Sequence, residues 1–220
     1  MKPKFSILLS FFLLISLNAC IEGLFSENVP LGDAVNATAS EEIVNASTVY
    51  FVEMDGIPFH IQRFKEVQAQ VDNTPQGAAA MFLVALHIYH RYPGEGSKAL
   101  IASCAGAAVK DANDAKDPLN NFEGKALLDV EYGRIKEQIE RYPNLRNAYF
   151  KGASPENAYT PNTNPYRIEF PSFQDLGTNL KFFVSTKGAD SNRPIRLIKI
   201  NDKWRVDEYS SVLSGIKDSE

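Results

Sequence analysis

One long apolar stretch lies in the middle of the chain and predicts the centre of the fold. Residues 78–89 read AAAMFLVALHIY, so a helix drawn through them carries apolar side chains on every side. A helix that is apolar all round is a buried helix. Asn73 or Thr74 can cap its start, and Pro75 suits the first helical turn. The sequence therefore predicts a core helix from Pro75 to Tyr89, ended by Pro93-Gly94.

Two more helices are predicted after the core helix. One runs from Ser97, which can cap it, to Val109, and its small residues indicate close packing. The other runs from Glu123 to Arg141 and ends before Pro143. A polar loop over residues 113–121 joins the two helices. Four apolar positions form the inward side of the last helix: Leu127, Leu128, Ile135 and Ile139.

Alternation of apolar and polar residues predicts strands on both sides of the helices. Residues 48–64 are expected to form a hairpin turned by Asp55-Gly56, a strong type I′ signal. Pro58 indicates that its second strand has a free edge. The expected pairs are Met54 with Ile57, Val52 with Phe59 and Tyr50 with Ile61. Four later strands are predicted over Arg167–Phe170, Leu180–Lys187, Ile195–Ile200 and Lys203–Tyr209.

The last two strands are joined by an Asn201-Asp202 turn, which predicts their register. On one face, Arg196 meets Asp207 in a favourable cross-strand ion pair. The other face pairs Lys199 with Trp204, Leu197 with Val206 and Ile195 with Glu208. Glu208 then lies beside Trp204 and Val206, where an unpaired carboxylate is costly. We therefore expect Glu208 to contact Arg193 or to accept hydrogen bonds from loop amides.

The order of these elements is a hairpin, then helices, then an antiparallel meander. It predicts an α+β fold in which buried helices pack on a mostly antiparallel sheet. A single domain is expected over residues 48–220. Within it, residues 151–166 are rich in proline and asparagine and predict no regular element. Structureless segments of this length are often functional or mobile.

The N-terminal residues predict export. Lys2 and Lys4 precede an apolar run shorter than the roughly 20 residues that cross a bilayer, so residues 1–19 read as a signal peptide. The run ends in Leu17-Asn18-Ala19-Cys20, which resembles a bacterial lipobox with an uncommon asparagine. Cys20 would then carry acyl chains such as palmitate. An ordinary secretory signal with an incidental Cys20 is the alternative.

This reading places the protein in the cell envelope, lipid-anchored to a bacterial membrane through Cys20. Residues 20–47 are rich in Asn, Ala, Ser and Glu and are expected to be a flexible tether. Cys104 would then be a lone thiol among small apolar residues, and we expect it to be buried and inert. The formal charge of −4 becomes −6 without the signal peptide, which holds two lysines and no acid. No basic run occurs, so a nucleic-acid partner is not expected.

Two segments near the C-terminus resemble motifs of an uncharacterised bacterial family. The first is the loop sequence GASPEN at residues 152–157 with YTP at residues 159–161. The second comprises GADS at residues 188–191, Arg193-Pro194, Trp204, Glu208 and Ser210-Ser211. The resemblance covers roughly residues 73–216 and implies no activity. This chain departs from the family pattern in having Asn192 instead of proline and KDSE at residues 217–220 instead of a proline-containing tail.

A further likeness is architectural. A Thr-Pro-started buried helix followed by the terminal strand sequence KWRVDE, residues 203–208, is similar to the cone-shaped NTF2-like fold. Such a likeness implies a fold and no function.

No catalytic residue, metal or cofactor is predicted. His87 and His90 share a helix face and could bind a metal together with His60, but no carboxylate stands at metal-ligand spacing. The candidate binding residues are Tyr159, Gly188, Asp190, Arg193 and Glu208. They either contact a ligand at the strand ends or form a structural loop in which Asp190 caps its own turn and Arg193 pairs with Glu208.

The favoured hypothesis is a non-enzymatic lipoprotein whose domain binds an unknown protein or small ligand. The contact surface would comprise residues 151–166 and the loop over residues 188–194. One alternative is a hydrolase-like enzyme with Glu208 and Asp190 in a cleft. Another is a structural or host-contact surface protein. A cleft that holds both carboxylates favours the enzyme, whereas a shallow apolar patch favours the binding domain.

Overall fold

The computed structural model of the protein describes residues 27–220. The predicted signal peptide and Cys20 lie outside the described residues. The described helices are α1 (Ile61–Val71), α2 (Pro75–Arg91), α3 (Pro93–Ser103) and α4 (Asp129–Arg141). The described strands are β1 (Ala37–Val44), β2 (Ser47–Met54), β3 (Val109–Asp111), β4 (Lys125–Leu127), β5 (Tyr166–Phe170), β6 (Ser172–Asp175), β7 (Asn179–Val184), β8 (Arg193–Ile200) and β9 (Lys203–Glu208).

The strands are arranged in antiparallel sheets with the orders β1-β2-β5, β3-β4 and β6-β7-β8-β9. In the last sheet each strand pairs with the next one along the chain, which is the predicted C-terminal meander. Helix α2 contacts strands of both the first and the last sheet. The predicted α+β class, with buried helices on mostly antiparallel sheets, is therefore confirmed.

Helix α2 is the core helix that the apolar stretch predicted. Thr74 caps it, since its hydroxyl accepts a hydrogen bond from the Gly77 amide at 3.1 Å. Every residue from Gln76 to Leu86 is buried. Gly96 of α3 lies so close to this helix that a β-carbon there would stand 2.1 Å from the α-carbon of Tyr89. No helix among residues 27–220 has the length and apolar character needed to cross a membrane.

The predicted hairpin over residues 48–64 is wrong. Asp55 accepts hydrogen bonds from the amide nitrogen and the side-chain nitrogen of Asn36, each at 2.8 Å, so this turn holds the preceding segment. The chain then enters α1, with His60 accepting a capping hydrogen bond from the Gln62 amide at 3.1 Å. The expected pairs with Ile57, Phe59 and Ile61 do not form, and Pro58 lies in no strand. The sequence signal that was missed is the helical spacing of Phe64, Val67, Gln68 and Val71, all buried.

The predicted tether over residues 20–47 is wrong for its last part, because residues 37–44 form β1. Ala37 lies opposite Met54 and Val44 opposite Ser47 in the ladder with β2. The connecting Asn45-Ala46 turn has φ values of 51° and 62°. Strand β1 lies at the edge of its sheet and most of its residues are at least partly exposed, so no clear apolar alternation marks it.

The two later helices have different limits from those predicted. Helix α3 begins at Pro93, and Ser97 lies inside it with its hydroxyl donating to the Pro93 carbonyl at 2.7 Å. Val109, expected on that helix, starts strand β3.

Helix α4 begins later than expected, at Asp129. Glu123 and Gly124, with φ values of 49° and 75°, turn the chain so that β4 pairs with β3. Leu127 therefore lies on β4 and Leu128 at the helix cap, whereas Ile135 and Ile139 are buried on α4 as predicted.

The predicted strand over residues 167–170 exists as β5, but it pairs with β2 in the first sheet instead of joining the meander. The meander starts with β6, a short and fully exposed strand that the alternation did not reveal. Strand β7 ends at Val184 instead of Lys187, and β8 begins two residues early, at Arg193.

The register of the final hairpin is confirmed only as far as Leu197. Lys199 lies opposite Trp204 and Leu197 opposite Val206, as predicted. A β-bulge follows, and Glu208 pairs with Arg196 instead of Ile195. Because the bulge adds a residue on β9, Glu208 leaves the face of Val206 and the buried Tyr209 takes its place there.

Candidate functional site

A charged cavity of about 250 Å³ lies where the end of β9 meets helix α4. The backbone of the short helical turn Gly106–Ala108 forms part of its wall. Its polar side chains come from α4, β8, β9 and the residues that follow β9: Glu131, Arg134, Arg196, Asp207, Glu208, Tyr209 and Ser210. We call this space the Glu208 cavity.

The bulge positions two adjacent acids differently around one arginine. The Arg196 guanidinium forms an ion pair with Asp207 at 2.8 Å, as the sequence predicted. Glu208 instead accepts hydrogen bonds from the Ser210 amide at 2.9 Å and from the Ser210 hydroxyl. The expected contact between Glu208 and Arg193 is wrong, and the amide that donates to Glu208 belongs to Ser210, directly after β9, and not to the loop of residues 188–194.

Tyr209 forms a buried part of the cavity wall. Only 2% of the residue is exposed, and its ring packs on Phe82 of α2 with a centroid distance of 4.6 Å. Its hydroxyl is enclosed and has no hydrogen-bond partner at normal distance and angle among residues 27–220, although the Glu131 carboxylate lies near it. Burial raises the pKa of this hydroxyl, and the nearby Cys104 thiol and Glu131 carboxylate raise it further. The phenol is therefore protonated and can donate a hydrogen bond.

Cys104 is buried, as predicted, and no disulfide involves it within the described chain. Burial raises the pKa of its thiol well above its ordinary value, and the charges of Asp207 and Glu131 add to the shift. The thiolate that would react as a nucleophile is therefore not populated near neutral pH.

The candidate residues Tyr159, Gly188, Asp190 and Arg193 lie around the C-terminal segment, residues 214–220. The Tyr159 hydroxyl, on a side chain that is 1% exposed, donates to the Lys217 carbonyl at 2.8 Å. Gly188 accepts from the Lys217 amide at 2.8 Å. A β-carbon at Gly188 would stand 2.7 Å from the Tyr159 hydroxyl, so this position needs glycine. We call this arrangement the C-terminal clasp.

Asp190 and Arg193 belong to the same clasp. Asp190 is exposed and pairs with the Lys217 ammonium at 2.7 Å, and this hydrogen bond lowers the pKa of the carboxyl. Arg193 donates to the Gly215 carbonyl at 3.4 Å, while its buried Nε has no partner in the described residues. Asp190 does not line the Glu208 cavity. The cleft expected to hold Asp190 and Glu208 together is therefore not formed.

The long loop over residues 151–166 is largely irregular, as predicted, but internal hydrogen bonds hold its conformation. Asn157 and Ser154 form a capping box around the short turn Pro155–Asn157. A cavity of about 310 Å³ separates this loop from residues 185–187 and is bordered by Lys151, Glu169 and Lys187. The loop of residues 188–194 is not part of its lining.

The three histidines do not converge on one point. His60 caps α1, whereas the His87 ring nitrogen Nδ1 lies 3.0 Å from the Arg146 carbonyl and 3.1 Å from the Asn147 side-chain oxygen. Both neighbours are acceptors, so Nδ1 carries the proton. His87 and His90 instead line a space of about 470 Å³ with Arg91, Arg146 and Asn147. No cluster of three metal-ligating side chains occurs in the described part of the chain.

Sequence reasoning identified Glu208 but missed Tyr209, Glu131 and Arg134 in its cavity. Tyr209 is buried because the bulge turns it to the face of Val206, and no residue pattern predicted the bulge. The arginines beside His87 and His90 were also missed, although Arg91 follows His90 directly at the end of the predicted core helix.

Comparison with known proteins yields one family. A family model described as a domain of unknown function (DUF6935) matches residues 56–220. No curated protein and no solved structure matches the chain.

Proposed function

The chain belongs to the DUF6935 family, and we propose that it is a bacterial envelope lipoprotein whose domain binds a small zwitterionic molecule in the Glu208 cavity. Lipid on Cys20 would hold the protein to the membrane. The role proposed is binding, because charged groups of both signs and the buried phenol of Tyr209 line the cavity.

The observation that carries this proposal is the Tyr209 hydroxyl, which is buried in the cavity wall without a well-formed hydrogen bond to any described residue. Buried polar groups almost always form hydrogen bonds, and each exception calls for an explanation. An enclosed hydroxyl without a partner is destabilising, by roughly 1–3 kcal/mol on the scale of mutational data. A ligand that offers an acceptor at this wall would remove that cost. The protonated phenol can supply the hydrogen bond.

The charges around the cavity favour a ligand that carries both a positive and a negative group. Glu131 and Glu208 have no cationic partner among residues 27–220, and Arg134 has no carboxylate partner there. An ammonium group can bind between the two glutamates, and a carboxylate can bind Arg134 or Tyr209. Charge-assisted hydrogen bonds of this kind are stronger than neutral ones.

The size of the cavity limits the ligand. Its volume of about 250 Å³ lies below the roughly 300–1,000 Å³ typical of sites for drug-sized molecules. A molecule the size of an amino acid or a short amino-acid derivative fits, whereas a folded partner protein cannot enter. The expected ligand class is therefore small amino acids and similar zwitterions.

Calorimetric titration of the purified full-length protein with small zwitterions, simple amines and simple carboxylates tests the ligand class. We expect a zwitterion to bind and Glu208→Gln to weaken it by tenfold or more. The matched control is Asp190→Asn, which makes the same carboxylate-to-amide change on the clasp and should leave affinity unchanged. Equal losses in both variants, or no binding by any zwitterion, would contradict the cavity assignment.

The membrane anchor needs a separate test. Residues 17–20, Leu-Asn-Ala-Cys, support it, because lipidation requires the cysteine thiol. In a detergent phase-partition assay the wild-type protein should enter the detergent phase and Cys20→Ala should lose its lipid label. A wild-type protein that takes up no labelled palmitate would contradict the anchor while leaving the ligand proposal intact.

The hydrolase alternative had depended on Glu208 and Asp190 in one cleft. Asp190 instead forms an ion pair with Lys217 in the C-terminal clasp, outside the Glu208 cavity. No feature of the described residues favours that reaction over binding.

A further inference from the structure

A basic basin lies at the C-terminal end of α2, away from the Glu208 cavity. Its lining comprises His87, His90, Arg91, Arg146 and Asn147, around a volume of about 470 Å³. No carboxylate lines it, and neither Arg91 nor Arg146 forms an ion pair within residues 27–220. Two arginines without an ion-pair partner among the described residues therefore lie in one concavity, in a chain of net charge −4.

Contacts with neighbouring segments hold the two arginines of the basin in place. The His87 hydrogen bond to the Arg146 carbonyl, at 3.0 Å, ties α2 to the turn Pro143–Arg146 and so places Arg146 beside the helix end. Arg91 lies over the rings of Phe59 and Tyr92, with its guanidinium carbon 5.0 and 5.3 Å from their centroids. Stacking holds a guanidinium flat while its edge remains free to donate, the geometry that suits phosphate oxygens.

The arginines hold the charge of the basin near neutral pH. Burial lowers the pKa of both His87 and His90, and the Arg146 charge lowers that of His90 further. The end of α2 contributes a partial negative charge of about half a unit, which two full guanidinium charges exceed. The positive charge of the basin near neutral pH therefore comes mainly from Arg91 and Arg146.

The described chain begins close to this basin. The Glu27 carboxylate accepts hydrogen bonds from the Gly94 and Glu95 amides at 3.0 and 3.4 Å, and Gly94 is three residues after Arg91. Seven peptide units separate Cys20 from Glu27. Whatever their conformation, they span at most about 25 Å. A lipid on Cys20 would therefore keep the membrane surface within a short distance of the basin.

We propose that this basin binds the phosphate group of an anionic phospholipid in the membrane that holds the Cys20 anchor. The inference rests on the proposed anchor. A tether this short gives the lipid headgroups a high effective concentration at the basin, and anionic headgroups attract basic residues near the surface. The domain then stands on the membrane with the end of α2 downward and has a defined orientation.

The test uses the lipidated full-length protein, reconstituted into nanodiscs of phosphatidylcholine alone or with about 30% phosphatidylglycerol. Hydrogen–deuterium exchange is followed in peptides covering residues 87–92 and 143–147. We expect exchange in these peptides to slow severalfold in the anionic nanodiscs only. Because the contact is electrostatic, raising the salt from 0.1 to 0.5 M should remove most of the protection.

Two charge-reversal variants of equal net charge separate the basin from general attraction. Arg91→Glu with Arg146→Glu should abolish the protection. Lys125→Glu with Lys187→Glu, at exposed lysines outside the basin, should retain it. If the basin variant does not fold, which its circular dichroism spectrum would reveal, the salt dependence of the wild-type protein still decides the question.

The remaining outcomes are distinct. Protection by inorganic phosphate or glycerol phosphate in neutral nanodiscs, equal to that in anionic ones, would overturn the lipid assignment in favour of a soluble phosphate. Equal exchange in both nanodiscs would overturn the basin altogether. A protein that does not enter nanodiscs at all would contradict the Cys20 anchor and with it this inference, while leaving the ligand proposal for the Glu208 cavity intact.

Discussion

The C-terminal clasp and the Glu208 cavity are built from opposite kinds of residue. Tyr159, Gly188 and Asp190 belong to the most distinctive sequence motifs, and each of them bonds to Lys217. The cavity has no motif, yet it retains an unpartnered hydroxyl and carboxylates without cations. In the described residues the motif side chains bond to one another, whereas the proposed ligand site lies where polar groups lack such bonds.

The largest expected effect concerns the helix beneath the cavity. Phe82 is fully buried and its ring packs against that of Tyr209 in a tilted arrangement. Phe82→Ala should lower the free energy of unfolding by about 3–5 kcal/mol, a typical loss for truncating a core aromatic. Urea denaturation measures this, with Val130→Ala as the control, because Val130 is 71% exposed and should change stability by less than about 0.5 kcal/mol. Similar values for both would mean that α2 is not the core.

The clasp can be broken selectively at Gly188. Gly188→Ala forces a methyl group against the Tyr159 hydroxyl, so we expect a loss of about 1–3 kcal/mol, as for other overpacked sites. The C-terminal segment should become sensitive to proteases while ligand affinity in the Glu208 cavity stays unchanged. Gly133→Ala on α4, where nothing lies within 4 Å, should instead stabilise by about 0.5–1 kcal/mol. A stable, protease-resistant Gly188→Ala protein would contradict the clasp.

Two tyrosine-to-phenylalanine changes compare a satisfied hydroxyl with an unsatisfied one. The Tyr149 hydroxyl donates to the Val212 carbonyl at 2.7 Å, so Tyr149→Phe should cost about 1 kcal/mol. Tyr209→Phe removes a hydroxyl that has no partner and should be neutral or slightly stabilising in thermal denaturation, while it weakens ligand binding. A destabilised Tyr209→Phe protein would indicate a hydrogen bond at Tyr209 and remove the main support for the cavity.

The smallest effect is the pH dependence of the clasp. The hydrogen bond from Lys217 lowers the pKa of Asp190 below its ordinary 3.8 and raises that of Lys217 above 10.5. The pair therefore contributes stability between these values and loses it as the pH falls through the folded-state pKa of Asp190 or rises through that of Lys217. NMR signals of residues 214–220 should show greater mobility at a pH below the folded-state pKa of Asp190 than at pH 6. Asp190→Asn should show that mobility at both pH values.

The sequence predicted the elements whose pattern of apolar and polar residues stays regular along their length. Helix α2 is apolar all round, and β8 and β9 alternate regularly, so their positions follow from period alone. Strand β1 was missed because its exposed edge position leaves it polar, and α1 was missed because Asp55-Gly56 is a hairpin signal that here closes on Asn36. In both cases contacts distant in sequence decided the local structure.

The cavity was less predictable than the fold. Glu208 was singled out for lying on an apolar face, although the bulge moves it to the other face and gives that place to Tyr209. A bulge depends on the balance of packing on both strands and leaves no residue pattern to detect. His87 and His90 were noticed as possible metal ligands, but the feature that distinguishes their surroundings is the pair of unpaired arginines, contributed by segments 55 residues apart.

The bulge also has a genetic consequence. Asp207 is the additional residue on β9, and it occupies Arg196, which leaves Glu208 unclaimed by that guanidinium. Loss of the single Asp207 codon would restore a regular ladder, in which Glu208 stays opposite Arg196 and replaces Asp207 as its ion-pair partner. The fold would survive, but the carboxylate of the cavity would be neutralised. Under the proposed function, family members that lack this codon are expected to bind the ligand more weakly.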